Sequence, residues 1–459
     1  MSHVFDSDPY GYADVLKSEN PRLVAPRSVL LKLLAAGAHC VLCAPSSDNH
    51  SDKLQWRISL MKTKLAVVVP PDVPLRKPNT TQSCDGIGLI ASTLACRFAE
   101  YENYEVHLFA PGDSEIGEGV VFHETIPYSL SAVPGRPFAG WPFVHGRTRT
   151  HIAREIIKQI SRSDFDIIHG HDAWLIRAGG WRLHNMMSTI HTCLYPIPDD
   201  APDREVCTRY PDHAIVTVSK SQQDALPERK WFGCVYNGIR VDGFSYSPKP
   251  VGDSDAYILF MGRICPEKGP LLAIKTVIRM ADRGIEIRLK IAGGLALGSR
   301  GYFEEMIKPW LDQYPHILEY VGEVGHEQKN KLYGGAYLTI CPYGCEGGGT
   351  HWYEPFGVVP IESMACGTPV LIGDKASASE IITHRMTGYR VPVAKKEDVL
   401  VSRFARGAEV IMRSSSMREH ARQDAETRWD ISRMVHDYRQ VYARFLRKKT
   451  RLRALAVSR

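Results

Sequence analysis

The most informative part of the sequence for the fold is Glu354-Pro-Phe-Gly-Val-Val-Pro-Ile-Glu362, which continues as Ser-Met-Ala-Cys-Gly-Thr-Pro-Val370. An apolar run at 337–341 precedes it and reads as a buried strand, and the glycine at its centre opens a helix. Gly367 marks the end of that helix before the next strand. A strand, a glycine loop, a helix and a second strand in this order predict one unit of a parallel, doubly wound α/β sheet.

The same stretch carries groups suited to a nucleotide ligand. The first amide N–H groups of a helix lack partners within the helix, so Gly357 and Val358 can offer theirs to a phosphate. Glu362, inside the helix, can accept hydrogen bonds from a ribose diol, and Glu354 lies on the loop before the helix, closer to the expected cleft. The alternative interpretation is that both carboxylates are solvated side chains around the start of a helix.

Apolar strands alternate with helical stretches on both sides of this motif. The strands are predicted at 65–69, 106–110, 166–169, 188–191, 214–218, 234–237, 257–261, 287–292, 317–321, 337–341 and 369–373. A segment rich in Ser, Pro, Gly and Asp at 245–255 divides them into two sets and has the composition of a linker. We therefore predict an α/β protein with two Rossmann-like doubly wound domains facing a central cleft, with ligands beyond the carboxyl ends of the strands.

The composition fits two soluble domains. The 459 residues exceed one ordinary core, and 44% hydrophobic with 24% charged residues is typical of globular proteins. A net charge of +6 is a mild excess, and no basic stripe is interleaved with aromatic residues, so we expect no nucleic-acid partner. With no secretory signal, no apolar run of spanning length and 11 scattered cysteines, we expect a cytoplasmic protein without stable membrane insertion.

A cationic motif, Met261-Gly-Arg-Ile-Cys-Pro-Glu-Lys-Gly269, follows the first strand of the second set. Arg263 supplies a planar fork of donors and Lys268 a point charge, and both suit a diphosphate. A helix that begins just after the loop adds N–H donors and a favourable dipole. The alternative interpretation is a surface loop with solvated charges.

Together these motifs resemble family 4 of the retaining glycosyltransferases, also called glycosyl transferases group 1, which have the GT-B fold. The closest points of similarity are Arg263, Lys268 and the E-x7-E motif formed by Glu354 and Glu362. Six stretches carry the resemblance: GRICPEKG, EPFGVVPIESMACGTPV, ASEIITHRMTGYRV, DIIHGHDAW, TIHT and VSKSQ. It covers roughly residues 61 to 445.

The resemblance implies which residues bind the donor. They are Gly86, Gly88, Arg263, Lys268, Val324, Phe356, Gly357, Val358 and Glu362. Among them, Arg263 and Lys268 would hold the diphosphate and Glu362 the ribose hydroxyls, while Val324 would lie beside the base. The backbone amides at 356–358 would face the sugar and the phosphate.

The resemblance also implies catalytic roles for His191 and Glu354. His191 would lie beside the reacting carbon and bind the sugar 6-hydroxyl, and Glu354 would contact the sugar near its 3-hydroxyl. His171 would face the acceptor, whereas His169, one residue nearer the strand core, is expected to pack in the interior. A buried structural histidine is the alternative for His191.

The predicted domains are an N-terminal extension at 1–60, an acceptor-side domain at 61–248, a nucleotide-sugar-binding domain at 249–430, and a C-terminal helix at 431–459 that returns to the first domain. The segment 344–353, rich in glycine, departs from the family pattern.

The resemblance implies a retaining transferase that moves a hexose, with glucose the first candidate, from a UDP-sugar to a hydroxyl of a small acceptor. The front-face mechanism would use no metal, no cofactor other than the nucleotide-sugar co-substrate, and no protein nucleophile. The alternatives are a GT-B sugar phosphorylase, a transferase for a lipid or glycan acceptor, and a non-catalytic nucleotide-sugar binder. The sequence leaves the oligomeric state open.

Overall fold

Two parallel β-sheets and one small antiparallel sheet contain the strands of this protein. The computed structural model describes residues 23–25, 40–43, 56–60, 62–72, 74–75, 86–130, 141–195, 201–250, 256–295, 299–346 and 352–457. The prediction of two Rossmann-like doubly wound domains is confirmed, since each parallel sheet belongs to a separate half of the chain.

The first sheet has seven strands in the order β10-β9-β8-β7-β4-β5-β6. Their bounds are Thr63–Val68 (β4), Tyr104–Ala110 (β5), Val121–Glu124 (β6), Ile167–Gly170 (β7), Met186–Ile190 (β8), Ala214–Thr217 (β9) and Gly233–Cys234 (β10). The helices between them are Gly86–Ala99 (α1), Trp141–Ser161 (α2), Ala173–Arg177 (α3), Pro202–Arg209 (α4) and Lys220–Asp224 (α5). The central strands β4 and β8 are buried along nearly their whole length, as is typical of a parallel sheet that helices cover on both faces.

The second sheet has six parallel strands in the order β13-β12-β11-β14-β15-β16. Their bounds are Tyr257–Met261 (β11), Arg288–Ala292 (β12), Leu318–Gly322 (β13), Ala336–Cys341 (β14), Val370–Gly373 (β15) and Gly388–Val391 (β16). The helices are Pro270–Ala281 (α6), Arg300–Tyr302 (α7), Lys308–Gln313 (α8), His326–Gly335 (α9), Val358–Ala365 (α10), Ala378–Ile381 (α11), Glu397–Met412 (α12), Met417–Asp424 (α13) and Ile431–Val457 (α14).

The strand order reverses once within each parallel sheet. In the first sheet β4 pairs with both β5 and β7, and in the second β11 pairs with both β12 and β14. The connecting chains leave these central strands in opposite directions, so a crevice opens at the carboxyl ends of the strands. Most of the residues singled out from the sequence follow β7, β8, β11 or β14 and therefore lie at these edges.

The last helix, α14, returns to the first domain. Its Tyr438 and Tyr442 are fully buried against first-domain residues such as Leu65 and Phe98. Just before it, the Ile239 N–H donates to the Trp429 carbonyl at 2.8 Å and so ties the chain to the end of the first domain. This helix therefore forms part of the core of the first domain.

A carboxylate joins the two domains a second time. Glu380 of α11 accepts hydrogen bonds at 2.8 Å from the backbone N–H groups of Lys220 and Ser221 and from the Tyr236 hydroxyl. Those N–H groups belong to the first turn of α5, where a helix leaves its donors unpaired. The second domain therefore caps a helix of the first.

Within residues 1–60 the structure describes only three short strands. Leu23–Ala25 (β1), Cys40–Cys43 (β2) and Trp56–Leu60 (β3) form an antiparallel sheet in the order β1-β3-β2. The rest of that predicted extension, and positions 347–351 of the glycine-rich insert, lie outside the described residues. The helices that are described include none with the length and apolar character needed to cross a bilayer.

Candidate active site

Three glycines end three neighbouring strands of the second sheet and open its edge. Gly262, Gly293 and Gly322 follow or end β11, β12 and β13, and their φ angles are 149°, 147° and 82°. A Cβ added to Gly293 would lie 1.8 Å from the carbonyl oxygen of Gly262, so a side chain cannot be accommodated there. The two backbones approach this closely because both positions are glycine. Gly293 directly follows a predicted strand, and this position was the one signal in the sequence that could have indicated its role.

Lys268 and Glu354 form an ion pair at the cleft. The Lys268 Nζ lies 2.5 Å from the Glu354 Oε2, and the two side chains are only 15% and 14% exposed. The Trp352 Nε1–H donates to the same oxygen at 3.0 Å. Burial favours the neutral acid, but Lys268, the indole and Arg263 outweigh it and hold the pKa of Glu354 below its ordinary value. Glu354 is therefore a carboxylate at neutral pH.

The loop that carries Lys268 is fixed by its neighbours. The Lys268 ammonium lies 4.8 Å from the centre of the Tyr343 ring, a cation–π distance. Gly269, with φ of 76°, packs against the carbonyl of Pro342, where a Cβ would be 2.5 Å from the oxygen. Arg263 is exposed at the same edge of the sheet. The structure thus brings both predicted phosphate-binding cations to one side of the cleft.

The N-terminus of α6 differs from the prediction. The sequence predicts that this helix start adds N–H donors for a phosphate, but the Leu271 N–H already donates to the Glu346 Oε2 at 3.2 Å. The Tyr302 hydroxyl donates to the other oxygen of Glu346 at 2.5 Å. Burial raises the pKa of this carboxyl to about 7. A side chain from the glycine-rich insert therefore occupies part of the helix end, because a buried N–H needs an acceptor.

Glu362 lies inside α10 and is 4% exposed. Its Oε2 accepts a hydrogen bond from the Tyr333 hydroxyl at 2.9 Å, and its Oε1 lies 3.5 Å from the Lys329 Nζ. Tyr333 and Lys329 are four residues apart on α9, so they share one face of that helix. These contacts fix the orientation of the carboxylate. In the sequence, the four-residue spacing of Lys329 and Tyr333 was the one signal that could have indicated that both residues contact Glu362.

The loop before α10 is held by its backbone. Gly357 has a φ of 92° and directly precedes the first residue of the helix, Val358. The Ser377 Oγ donates to the carbonyls of Glu354 at 3.1 Å and Phe356 at 2.8 Å. The Phe356 side chain is 2% exposed and lies in the same apolar cluster as Val324. Phe356, Gly357 and Val358 therefore lie together on the chain that follows β14, and Val324, which follows β13, belongs to the same apolar cluster as Phe356.

On the other side of the cleft, His169 lies within β7, His171 directly follows it, and His191 directly follows β8. The His171 Nδ1 and the His191 Nε2 lie 2.9 Å apart, while His169 is held by Thr189 and Tyr442 at 2.8 Å each. Burial is the main cause that lowers the pKa of His169 to about 3 and of His191 to about 4, and it holds the pKa of His171 well below its ordinary value. All three rings are therefore neutral at pH 7. The His171 Nε2 is buried without a hydrogen-bond partner in the described part of the chain.

Gly86 and Gly88 begin α1, which follows the central strand β4. Gly86 is exposed with open space where a Cβ would be, whereas Gly88 is buried and a Cβ there would lie 3.0 Å from Leu75. Gly88 therefore permits close packing of the helix, and Gly86 leaves room at the carboxyl edge of the first sheet.

Residues that follow His191 meet the Glu354 loop across the cleft. The rings of Tyr195 and Tyr353 pack edge to face with centres 5.1 Å apart. The buried Cys193 thiol donates to the Tyr195 carbonyl and lies beside the Tyr353 backbone. The loop after His191 and the loop that carries Glu354 thus meet between the domains.

Two doubly wound domains that meet in this way define the GT-B class of glycosyltransferases. Residues 85–242 match the family model described as Glycosyltransferase Family 4, and residues 247–428 match Glycosyl transferases group 1. The chain belongs to the family 4, group 1 glycosyltransferases, and the resemblance seen in the sequence is confirmed.

Individual proteins show the same relationship. An uncharacterized glycosyltransferase of Methanocaldococcus jannaschii is 29% identical over 254 residues, which are 49% of this chain and 61% of that protein. The matched region thus spans less than two thirds of the relative. Sucrose-phosphate synthase from Thermosynechococcus elongatus has 18% identity and a TM-score of 0.65 over 84% of this chain and 100% of that chain. The Anabaena HepE protein with UDP and glucose has 14% identity and a TM-score of 0.60, over 82% and 98%. These structures support the fold alone.

Proposed function

We propose that this protein is a retaining glycosyltransferase that moves a hexose, first of all glucose, from a UDP-sugar to a hydroxyl of a small-molecule acceptor. The observation that carries the proposal is the buried Lys268–Glu354 pair beside the open loop of Gly357. In this pair, Lys268 would supply a cation for the leaving diphosphate, and the Glu354 carboxylate would accept hydrogen bonds from the sugar hydroxyls. The Anabaena neighbour that contains UDP and glucose makes UDP-glucose the first donor to test.

The donor would lie along the second domain. Arg263 and Lys268 would neutralise the diphosphate as negative charge develops on it, which stabilises the transition state. Glu362, oriented by Tyr333, would accept hydrogen bonds from the ribose diol. The hydrogen bonds from Lys268 and Trp352 both fall on the Oε2 of Glu354, so its Oε1 would accept a hydrogen bond from a sugar hydroxyl.

The chemistry would proceed on one face of the sugar. Glu354 is a carboxylate already paired with Lys268, so it positions the sugar rather than attacking it. The acceptor hydroxyl would pass its proton to the departing phosphate oxygen as the new glycosidic bond forms and the bond to the phosphate breaks. His191 is neutral at pH 7, so it would hydrogen-bond the sugar without adding charge. Contacts across the cleft such as Tyr195 with Tyr353 would limit the entry of water.

A cytoplasmic location is part of the proposal. Eight of the cysteines in the described part of the chain, from Cys96 to Cys366, are free thiols. Free thiols are typical of a reducing compartment.

The first experiment combines donor binding with one substitution. UDP and UDP-glucose should raise the melting temperature of the wild-type protein, since they bind only the native state. Glu354→Ala should lower the transfer rate about 100-fold or more, the usual effect of losing a group that stabilises a transition state, while UDP still binds. Glu155→Gln, an exposed position on α2, serves as the matched control. Near wild-type transfer by Glu354→Ala would refute the roles assigned here.

The main rival is a sugar phosphorylase on the same fold. Such an enzyme would turn over a sugar 1-phosphate and would not require UDP. Transfer from UDP-sugar with none from sugar 1-phosphate supports the proposal, and the reverse result supports the rival. Tight UDP binding without turnover on any acceptor would instead indicate a non-catalytic binder.

A further inference from the structure

The two ends of the glycine-rich insert meet beside the candidate active site. Its first residue is Gly344, whose N–H donates to the Glu267 carbonyl at 2.8 Å and so joins the loop that carries Lys268. Gly344 has a φ of 58°, and a Cβ there would lie 2.0 Å from the Trp352 carbonyl oxygen. The two backbones pack this closely because the position is glycine. Since Glu354 follows two residues later, this contact brings its loop onto the loop of Lys268.

Lys375 contacts both ends of the insert. It lies between β15 and α11, and its Nζ donates to the Gly344 carbonyl at 3.2 Å. The same ammonium lies 4.1 Å from the centre of the Tyr353 ring, a cation–π distance. One side chain therefore connects the first residue of the insert to the last.

The backbone around Lys375 is fixed against the same loop. The Ser377 Oγ donates to the carbonyls of Glu354 and Phe356, at 3.1 and 2.8 Å. Between Lys375 and Ser377, Ala376 has a φ of 52°, a left-handed conformation that is uncommon for a residue with a side chain. Such backbone strain persists where surrounding contacts fix the chain, and it is frequent at active sites. Lys375 therefore reaches the loop from a backbone that is itself held in place.

Two aromatic residues connect Lys375 to the Glu354 carboxylate. Tyr353, which the ammonium contacts, directly precedes Glu354 in the chain. The preceding residue, Trp352, donates its Nε1–H to the Glu354 Oε2 at 3.0 Å. Tyr353 also packs edge to face against Tyr195 of the first domain. Loss of the ammonium would therefore loosen the residues that orient the carboxylate.

We propose that Lys375 is a positioning residue for Glu354, because it joins the two ends of the insert and so holds the carboxylate in reach of the transferred sugar. A group that is misplaced by about 1 Å can cost a factor of about 100 in rate. This inference rests on the proposed function, since it assumes that Glu354 contacts the sugar.

Lys375→Met tests the inference, because methionine keeps much of the apolar stem and removes the ammonium. Release of UDP from UDP-glucose is measured with the full chain, with water alone and with D-glucose or glycerol as the acceptor. We expect kcat to fall about 10- to 100-fold. The Kd for UDP should change by less than about twofold, because Lys375 does not belong to the proposed diphosphate site and distant sites act independently.

Two further variants separate positioning from a general loss of structure. Lys375→Arg keeps a cation that can donate to the Gly344 carbonyl and stack on the Tyr353 ring, so it should recover most of the rate. Lys308→Met removes a lysine that is 51% exposed and paired with Asp312 on α8, and it should behave like the wild type.

A double variant shows whether the effect passes through Glu354. In Lys375→Met combined with Glu354→Gln, kcat should lie within about threefold of that of Glu354→Gln alone, because the carboxylate that Lys375 positions is already lost. A merely structural role of Lys375 would instead lower kcat by the same factor in both backgrounds.

Hydrogen exchange measures the state of the loop without turnover. The backbone amides at 352–358 should exchange about tenfold faster in Lys375→Met and return towards the wild-type rate in Lys375→Arg, because local opening becomes easier when the loop loses a contact. Unchanged exchange, an unchanged kcat, or an equal loss of kcat in both Glu354 backgrounds would overturn the inference. Failure of the wild type to release UDP from UDP-glucose would refute the proposed function instead, and the exchange rates would still decide whether Lys375 holds the loop.

Discussion

Substitution of Lys268, which forms an ion pair with Glu354, should affect the stability of the protein and its donor binding in two ways that can be measured separately. Lys268→Met removes the ammonium and keeps most of the apolar stem. The 2.5 Å contact then disappears, and a carboxylate that is 14% exposed is left without its main cation. Removal of one partner from a buried pair typically destabilises a protein by about 3–5 kcal/mol, and we expect the lower end because Trp352 and Arg263 still favour the charged form.

The same substitution should weaken UDP binding. A hydrogen bond to a charged group contributes about 1.5–3 kcal/mol. Since about 1.4 kcal/mol is a factor of ten, the Kd for UDP should rise roughly 10- to 100-fold. Titration calorimetry measures the Kd, and thermal unfolding without ligand measures the loss of stability.

A double variant distinguishes the two effects. Glu354→Gln keeps an oxygen that accepts the indole N–H of Trp352 but carries no charge. In Lys268→Met combined with Glu354→Gln, the stability of the free protein should largely return, because no buried charge is left unpaired, while UDP binding should stay weak. If the double variant is as unstable as Lys268→Met alone, then Lys268 does not stabilise the free protein through its ion pair with Glu354.

Lys275 offers a matched control on helix α6. It pairs with Glu397 at 2.8 Å, but these side chains are 27% and 36% exposed. Lys275→Met should therefore cost less than about 1 kcal/mol of stability. It should also leave UDP affinity unchanged, because this pair lies outside the proposed site. Equal UDP affinity in Lys268→Met and Lys275→Met would refute the assignment of Lys268 to the diphosphate.

Two further predictions concern the framework of the site. Burial, with a smaller effect of the Arg229 charge, lowers the pKa of His213 to about 4. The unfolded chain, in which His213 has its ordinary pKa of about 6.5, therefore takes up the proton first as the pH falls. The neutral His213 thus contributes its full stability above about pH 6.5, and this contribution is lost as the pH falls below that value. In chemical denaturation, the stability gap between wild type and His213→Asn should narrow by at most about 1.4 kcal/mol per pH unit below that point, and a gap that does not change with pH would contradict the linkage. Gly293→Ala should destabilise the second domain and weaken UDP binding, because the added Cβ would meet the Gly262 carbonyl. Gly284 is the control: its φ is also positive, at 76°, but no described atom lies within 4 Å of where its Cβ would be. Gly284→Ala should therefore cost only the backbone strain of about 1–2 kcal/mol. Equal unfolding midpoints for the two alanine variants would contradict the close contact at Gly293.

The fold was predictable from the sequence because each half repeats the same local pattern. Fully apolar strands such as Tyr257–Met261 need cover on both faces, and the helices between them supply it. The position of the site followed from topology, since the motifs come directly after strands that meet at one edge. The boundaries of the domains stay a prediction.

The partners of the predicted residues could not be read from the sequence. Tyr333 supports Glu362 from another helix, and Trp352 reaches Glu354 from the far end of a loop that departs from the family pattern. The occupied end of α6 was missed for the same reason: Glu346 is 75 residues from the N–H that it accepts. Contacts of this kind depend on how elements pack, which local periodicity does not report.

The distribution of charge across the cleft gives a physical reason for the orientation of the substrates. On the donor side, Lys268 faces a single carboxylate, Glu354, with exposed Arg263 nearby, so a diphosphate finds positive charge there. On the first-domain side, burial keeps His169, His171 and His191 neutral at pH 7 by lowering their pKa values, so these rings offer a diphosphate no charge. In the proposed complex, the diphosphate would therefore lie against Lys268 and Arg263, and the sugar would face the neutral histidines.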